Sequence, residues 1–452
     1  MLKFYFVLFV SLFCSLNLTY AQSVAKVQLD FQKNYKSEKA DERAKAVLNL
    51  KSIEWKSSVA FLSKVFEENS PKVLVAAKEV LESYQAQQEV ANWVLTKGIF
   101  TVKNKFGRSY LIAALGKFHF EETNETLLKM LKINTEPEFL IPAIEAISEL
   151  GYASSIPALI NARKNSIYMI NYGYRKSVFD ALMQFPDKSV IEFFIKTMGE
   201  NEGLNAVQIE EYLALVTETR QGSAADWKKW WDENKEKVTI KKVTTEEMNK
   251  KLLEVKPSGE VKDYYGISLL AKRIVFIVDV SGSMMFKNDK EVRIDVAKRE
   301  LTFAILNLPE KTCIEVIEFA GLANLWFGEL KALTKGIKTA IEKKIKGMAA
   351  KGGTNTHDSF EKALSLNDNL EAIYFMSDGA PSLGSIIDPD ELLDQIYRWN
   401  RFRKVQIHSI GLVFGMPTPE FASRGYKEDT PKLKNFLSQL AIQNGGQFKF
   451  LE

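Results

Sequence analysis

Two different hydrophobic periods divide this chain. From about Ser37 to Val238 apolar residues return at the three- and four-residue spacing of helices, with weak self-similarity at about 33 residues. Ala44–Leu48, Ala76–Leu81, Leu111–Gly116, Ala146–Gly151 and Val178–Leu182 carry the repeated Ala/Leu pattern. Pro71, Pro137 and Gly107 fall near predicted repeat starts, and Gly116 and Gly151 near predicted helix ends. From about Arg273 onward, short Val/Ile/Phe-rich runs alternate with helical patterns instead, which predicts βαβ units and a largely parallel sheet. The predicted strands are Arg273–Val280, Thr312–Phe319, Ala323–Phe327, Ala372–Ser377, Val405–Val413 and Gln447–Leu451. The predicted helices between them are Glu291–Leu306, Gly336–Lys346, Thr356–Leu364, Pro389–Asn400 and Pro431–Asn444. Residues 239–266 show little period and read as a linker with solvated charges.

The chemistry sits at the ends of two predicted strands. Ile274–Val278 runs into Asp279-Val280-Ser281-Gly282-Ser283, and a second apolar run ends in Ser377-Asp378-Gly379. Between them lies Lys351-Gly352-Gly353-Thr354-Asn355. In a doubly wound sheet, ligands bind beyond the carboxyl ends of the strands where the strand order reverses, so two central strands would bring Asp279 and Asp378 together. Two carboxylates and three hydroxyls form an all-oxygen set suited to a hard divalent cation such as Mg²⁺ or Mn²⁺. The competing reading is a set of ordinary strand-to-helix turns whose hydroxyls cap helices.

At these residues the chain resembles the von Willebrand factor type A family. The metal-ion-dependent adhesion site of that family has the pattern Asp-x-Ser-x-Ser, then Thr, then Asp. Asp279, Ser281, Ser283, Thr354 and Asp378 match it without a departure. The resemblance implies that the serines and at times the threonine touch the metal, that the aspartates often act through water, and that one coordination position stays open for an acidic side chain of a protein partner. The helical half resembles HEAT-like α-solenoids in period alone, which implies a stacked core and an extended partner-binding surface. The expected architecture is therefore an all-α HEAT-like solenoid over residues 22–238 and an α/β doubly wound, Rossmann-like domain over residues 267–452.

Composition narrows the function. The 452 residues carry 61 basic and 57 acidic side chains, a net charge of +4 that is dispersed apart from a lysine-rich stretch near Lys235–Lys251, whereas nucleic-acid binding would favour a more marked basic face, so no nucleic-acid partner is expected. There is no phosphate-binding Gly-x-x-x-x-Gly-Lys-Ser/Thr loop, so no nucleotide is expected, and Ser281 and Ser283 sit in no nucleophile elbow. His119, His357 and His408 are too scattered for zinc, and a surface position at a helix start is expected for His357. Trp227, Trp230 and Trp231 share one helix face and are expected to cap the last repeat or pack against the next domain. Cys313, in a predicted strand, is expected to be a small buried hydrophobe.

The first 21 residues have a charged start, an apolar core and Ala21 before Gln22, the pattern of a secretory signal peptide. An uncleaved anchor and a lipoprotein version using Cys14 compete with it, and membrane association is expected only if this segment is retained or lipidated. The resulting expectation is an exported, non-enzymatic protein in the periplasm or cell envelope that captures an acidic group of a protein partner through a divalent metal. A structural envelope scaffold with a purely stabilising metal, and an exported hydrolase, are the alternatives.

Overall fold

The computed structural model describes residues 21–133, 135–256, 263–367, 369–423 and 429–452. The predicted signal segment therefore lies outside the described residues, apart from Ala21. No described helix is long and apolar enough to cross a membrane. Chain packing separates two compact units, one ending at Ala158 and one beginning at Leu159.

In the first unit, the helices Ala40–Leu48, Pro71–Glu82, Lys105–Ala114 and Pro137–Leu150 stack in that order, each on the next. Their first residues follow the repeat period read from the sequence, and each buries its Ala/Leu stripe. Pro71 and Pro137 stand in the first turn of their helices, where a missing N–H costs nothing. Gly151 closes Pro137–Leu150 with φ +71°, a left-handed C-cap. Gly107 is required by close approach, because a Cβ there would lie 1.7 Å from the Phe66 carbonyl oxygen.

The second unit begins with further helices, among them Tyr172–Leu182, Lys188–Thr197, Gly203–Thr217 and Ala224–Asn234. Trp227 and Trp231 are buried in the last of these, with the Trp231 indole N–H donating to Glu192 at 3.2 Å. Their role is packing. The stretch expected as an aperiodic linker contains a helix, Thr245–Glu254, started by a reciprocal capping box between Thr244 and Glu247 and anchored by buried Met248. Its lysine and glutamate content hid a single buried anchor from a reading based on period.

A two-stranded ribbon, β1 (Asp263–Tyr264) and β2 (Ile267–Ser268), leads into a seven-stranded sheet. Its strands are β3 (Arg273–Asp279), β4 (Cys313–Phe319), β5 (Ala323–Leu325), β6 (Lys331–Ala332), β7 (Ala372–Ser377), β8 (Gln406–Leu412) and β9 (Phe448–Leu451). The order is β5-β4-β3-β7-β8-β9, with β6 also paired to β4. β4, β3, β7, β8 and β9 are parallel, whereas the short β5 and β6 run antiparallel along the outer edge of β4. Chain order leaves β3 toward β4 on one side and returns to β7 on the other, so the topological switch falls between β3 and β7.

Both faces are covered, which is why β3 reads as a continuous apolar run. Ile274, Phe276 and Val278 pack with residues of the helices Arg293–Asn307 and Lys335–Gly347. Val275 and Ile277 face the helices Thr356–Leu364, Pro389–Asn400 and Thr430–Gln443. Cys313 departs from expectation: it is only half-buried, because it is the first residue of its strand and lies at the rim of the core.

Candidate metal centre

Parallel register sets the site. β3 and β7 pair from Ile274 with Ala372 to Val278 with Met376, so Asp279 ends one strand level with Ser377, and Asp378 follows directly on the other. The Ser377 hydroxyl donates to Asp279 Oδ2 at 2.6 Å and ties the two ends together. The other Asp279 oxygen, Oδ1, accepts the Ser281 N–H at 2.7 Å, which turns the chain sharply after β3.

That turn aims the hydroxyls at Asp378. Ser283 Oγ donates to Asp378 Oδ1 at 2.8 Å, and Ser281 Oγ lies 3.1 Å from Ser283 Oγ. Thr354 arrives on a separate loop, which is fixed by backbone bonds from Gly282 N–H to Gly352 O (2.9 Å) and from Asn355 N–H to Ala320 O (2.7 Å). The Thr354 N–H also donates to Ser382 Oγ at 2.9 Å. A Cβ added to Gly379 would lie 3.7 Å from Thr354 Oγ1 and 3.8 Å from Ser283 Oγ, so both hydroxyls crowd the same bare backbone. All five residues singled out from the sequence, Asp279, Ser281, Ser283, Thr354 and Asp378, thus lie together at the carboxyl ends of β3 and β7. Each is at most 5% exposed.

One participant was not anticipated. Arg293 is fully buried and its Nη1 donates to Asp378 Oδ2 at 2.9 Å. Its Nε donates to the Phe414 carbonyl at 2.7 Å, and its guanidinium lies over the Phe286 ring at 4.9 Å. A signal existed: Arg293 opens a helix, where the positive end of the backbone dipole disfavours a cation unless a nearby anion compensates.

Two buried carboxylates, Asp279 and Asp378, meet at the site, and the Arg293 guanidinium faces the second of them. Burial pushes the Asp279 carboxyl above its ordinary range. Burial and the neighbouring Asp279 charge push Asp378 up as well, outweighing Arg293. A buried charge without its counter-ion is costly, so a cation fits here. The hydroxyls and the space over Gly379 supply neutral hard donors for one of the Mg²⁺ or Mn²⁺ type.

The histidines do other work. His357 is buried, not on the surface as expected, because its ring packs on Trp399 at 5.3 Å. It forms a cluster with Asp358 and Glu361, yet the Asp358 oxygens are already bonded to His357 Nδ1 (3.0 Å) and Asn355 Nδ2 (2.8 Å), a helix-cap network. His408 stacks on Tyr374 at 4.6 Å, and burial drives its pKa down to about 3, so it stays neutral.

Residues 274–380 match the family described as von Willebrand factor type A domain, so the chain contains a domain of that family over this span. Similar solved structures include a von Willebrand factor type A protein from Catenulispora acidiphila (15% identity, TM-score 0.31, covering 40% of this chain and 38% of that one). An aerotolerance-related membrane protein from Bacteroides fragilis is also similar (16%, TM-score 0.30, 40% and 90%), as is the PilB minor pilin from Streptococcus sanguinis (15%, TM-score 0.28, 39% and 56%). This chain thus spans 38% of the length of the first of these, and the likenesses carry no argument about function. No curated protein matches the chain.

Proposed function

We propose that this protein is an exported, non-enzymatic binding protein whose α/β domain, residues 267–452, holds Mg²⁺ or Mn²⁺ and captures an acidic group on a protein partner. The reading of export rests on the amino-terminal sequence pattern alone. The helical residues 22–238 then act as a HEAT-like scaffold carrying a second contact surface, a role in keeping with the row of stacked helices in the first unit. Domains of the von Willebrand factor type A family are generally interaction modules, which favours protein partners over a substrate.

The observation that carries the metal reading is the pair of buried carboxylates, Asp279 and Asp378, at the switch point, lined by Ser281, Ser283 and Thr354. Asp279 and Asp378 supply charge, and the hydroxyls supply neutral ligands. A bound dication supplies an electrophilic centre for a partner's carboxylate. The surrounding loops support a protein as that partner, because they expose apolar side chains close to the site: Met285 (46%), Leu322 (71%), Leu383 (45%) and Met416 (77%). Leu383 lies directly over Gly353, beside Thr354.

Melting with Mg²⁺ against chelator tests the metal. At 100 times the dissociation constant the gain is expected to be about 2.7 kcal/mol, and Asp279→Ala is expected to abolish it. Equal melting in both conditions refutes the metal reading. Affinity purification from the native envelope with and without chelator tests the partner: recovery indifferent to chelator, together with a metal-dependent melt, assigns the ion a purely stabilising role.

A further inference from the structure

Resting on the metal reading above, we infer that residues 414–423 form a strap over the serine loop, with the ring of Phe421 as its tip, and that this strap is closed in the present structure and has to lift before a partner reaches the ion. Access is thereby gated by an apolar contact that lies outside the five donor residues.

The strap leaves the end of β8 and runs across the chain that follows β3. Polar bonds hold its base. The Phe414 carbonyl accepts from Arg293 Nε at 2.7 Å, and the Met416 N–H donates to the Lys287 carbonyl at 2.9 Å, bridging the two segments. Arg293 also donates to Asp378, so the base is hinged on the framework of the site itself. Beyond the base comes one helical turn, Pro419–Ser423, in which the Ala422 N–H donates to the Thr418 carbonyl at 2.9 Å. Pro419, Glu420, Ala422 and Ser423 are exposed, and Phe421 alone of the five turns inward.

What Phe421 meets decides its role. Its ring packs edge-on against Phe286, with centroids 5.2 Å apart, and its tip reaches Gly282, where an added Cβ would lie 2.7 Å from Phe421 Cζ. Gly282 stands between Ser281 and Ser283, whose hydroxyls line the site, so the ring rests on the backbone that presents them. The low exposure of all five donors, at most 5%, accords with a cover. An aromatic contact of this kind is modest, which populates the closed strap without locking it. The apparent affinity for a partner is then reduced to the fraction of molecules whose strap is open, and weakening the tip raises that fraction without altering a donor.

The test uses the full chain loaded with Mn²⁺ and compares the unaltered protein with Phe421→Ala. Two quantities are read: the rate of Mn²⁺ release to excess EDTA, and the water-proton relaxation per bound ion, which reports how freely water exchanges there. A cover predicts that Phe421→Ala releases Mn²⁺ about tenfold faster and raises the relaxation. A phenylalanine that only packs predicts a lower melting temperature with both readings unchanged, and that result overturns the inference. Gly282→Ala gives an independent arm, because its methyl group has to push the ring aside. It must speed release when Phe421 is present and add nothing in the Phe421→Ala background. Equal acceleration in both backgrounds overturns the inference, since the methyl group then acts on the serines directly. If Phe421→Ala does not fold, Phe421→Leu, which keeps an apolar side chain without the ring, is read in its place by the same criteria. Absence of Mn²⁺ binding by the unaltered chain is a separate failure, which removes the metal reading and this inference with it before any variant is compared.

Discussion

Strand β7 has a buried carboxylate at each end, and the two are provided for differently. Glu371 precedes the strand and is 1% exposed. Its Oε1 accepts from Arg273 Nη1 at 2.9 Å, and its Oε2 accepts the N–H groups of Leu204 (3.0 Å) and Lys272 (3.2 Å). One acid meets one arginine and two amides, so charge and hydrogen bonds both close. Leu204 lies in the first turn of the helix Gly203–Thr217, whose dipole favours an anion at that end. Gly203, at φ +61°, leaves room for the carboxylate, since a Cβ would meet Glu371 Oε2 at 2.0 Å. Glu371 thereby fastens the helical segment to the amino-terminal edge of the sheet.

Asp378 follows the same strand and also meets an arginine, but it shares its surroundings with a second acid and with hydroxyls that have capacity to spare. Burial and charge are equal in kind at the two ends. What separates a fastening from a site is whether a second acid and several hydroxyls gather beside the first.

This contrast can be broken by experiment, and the largest effect is expected at the closed end. Glu371→Ala leaves Arg273 and two backbone amides without their acceptor and is expected to cost about 3–5 kcal/mol in urea unfolding. The Mg²⁺ response should survive in that variant; its loss would mean that the two ends are not independent.

Next comes the metal gain itself, which is expected to grow with pH. Both Asp279 and Asp378 have raised folded pKa values, so the metal-free fold loses stability as pH rises from the ordinary carboxylate range through the raised one. A cation must displace those protons to bind, so the difference between melts with and without Mg²⁺ should widen from pH 5 to pH 8, in all by about 1–2 kcal/mol. A flat difference would separate the ion from these carboxylates.

A smaller effect of opposite sign to the first is expected for Asp279→Asn. Removing one of two neighbouring buried charges should stabilise the metal-free protein by about 1 kcal/mol while ending its response to Mg²⁺. Destabilisation without metal would show that the open end is as closed as the other. The smallest effect is expected for Ser382→Ala, which deprives the Thr354 N–H of its acceptor. About 0.5–1.5 kcal/mol of stability and a few-fold drop in Mn²⁺ affinity are expected, read by calorimetry.

Much of this architecture was legible in the linear chain. Ala372–Ser377, Thr356–Leu364 and Pro389–Asn400 fall where the periodicity put them, and the other elements predicted for the α/β region begin or end within a few residues of expectation, whereas the short strand Lys331–Ala332 and the helix Pro419–Ser423 were not predicted. Those elements are long, fully buried or strongly amphipathic, so period alone defines them. Reading failed where one residue carried the structure. Met248 anchors a helix in a stretch that looks like linker, Cys313 is lifted out of the core by its place at a strand's start, and His357 is buried by Trp399, which is far away in sequence.

The sequence by itself determined the two periods, the strand ends at Asp279 and Ser377, and the oxygen-rich identity of the five residues beyond them. These are local properties, written in consecutive side chains. Tertiary structure alone decided that Glu371 is satisfied by a helix start 167 residues earlier in the chain and that Arg293 reaches Asp378 across 85 positions. The physical reason is that electrostatic balance belongs to a volume of space and not to a stretch of chain. Whether a buried acid is a fastening or a binding site depends on which distant charges folding gathers around it.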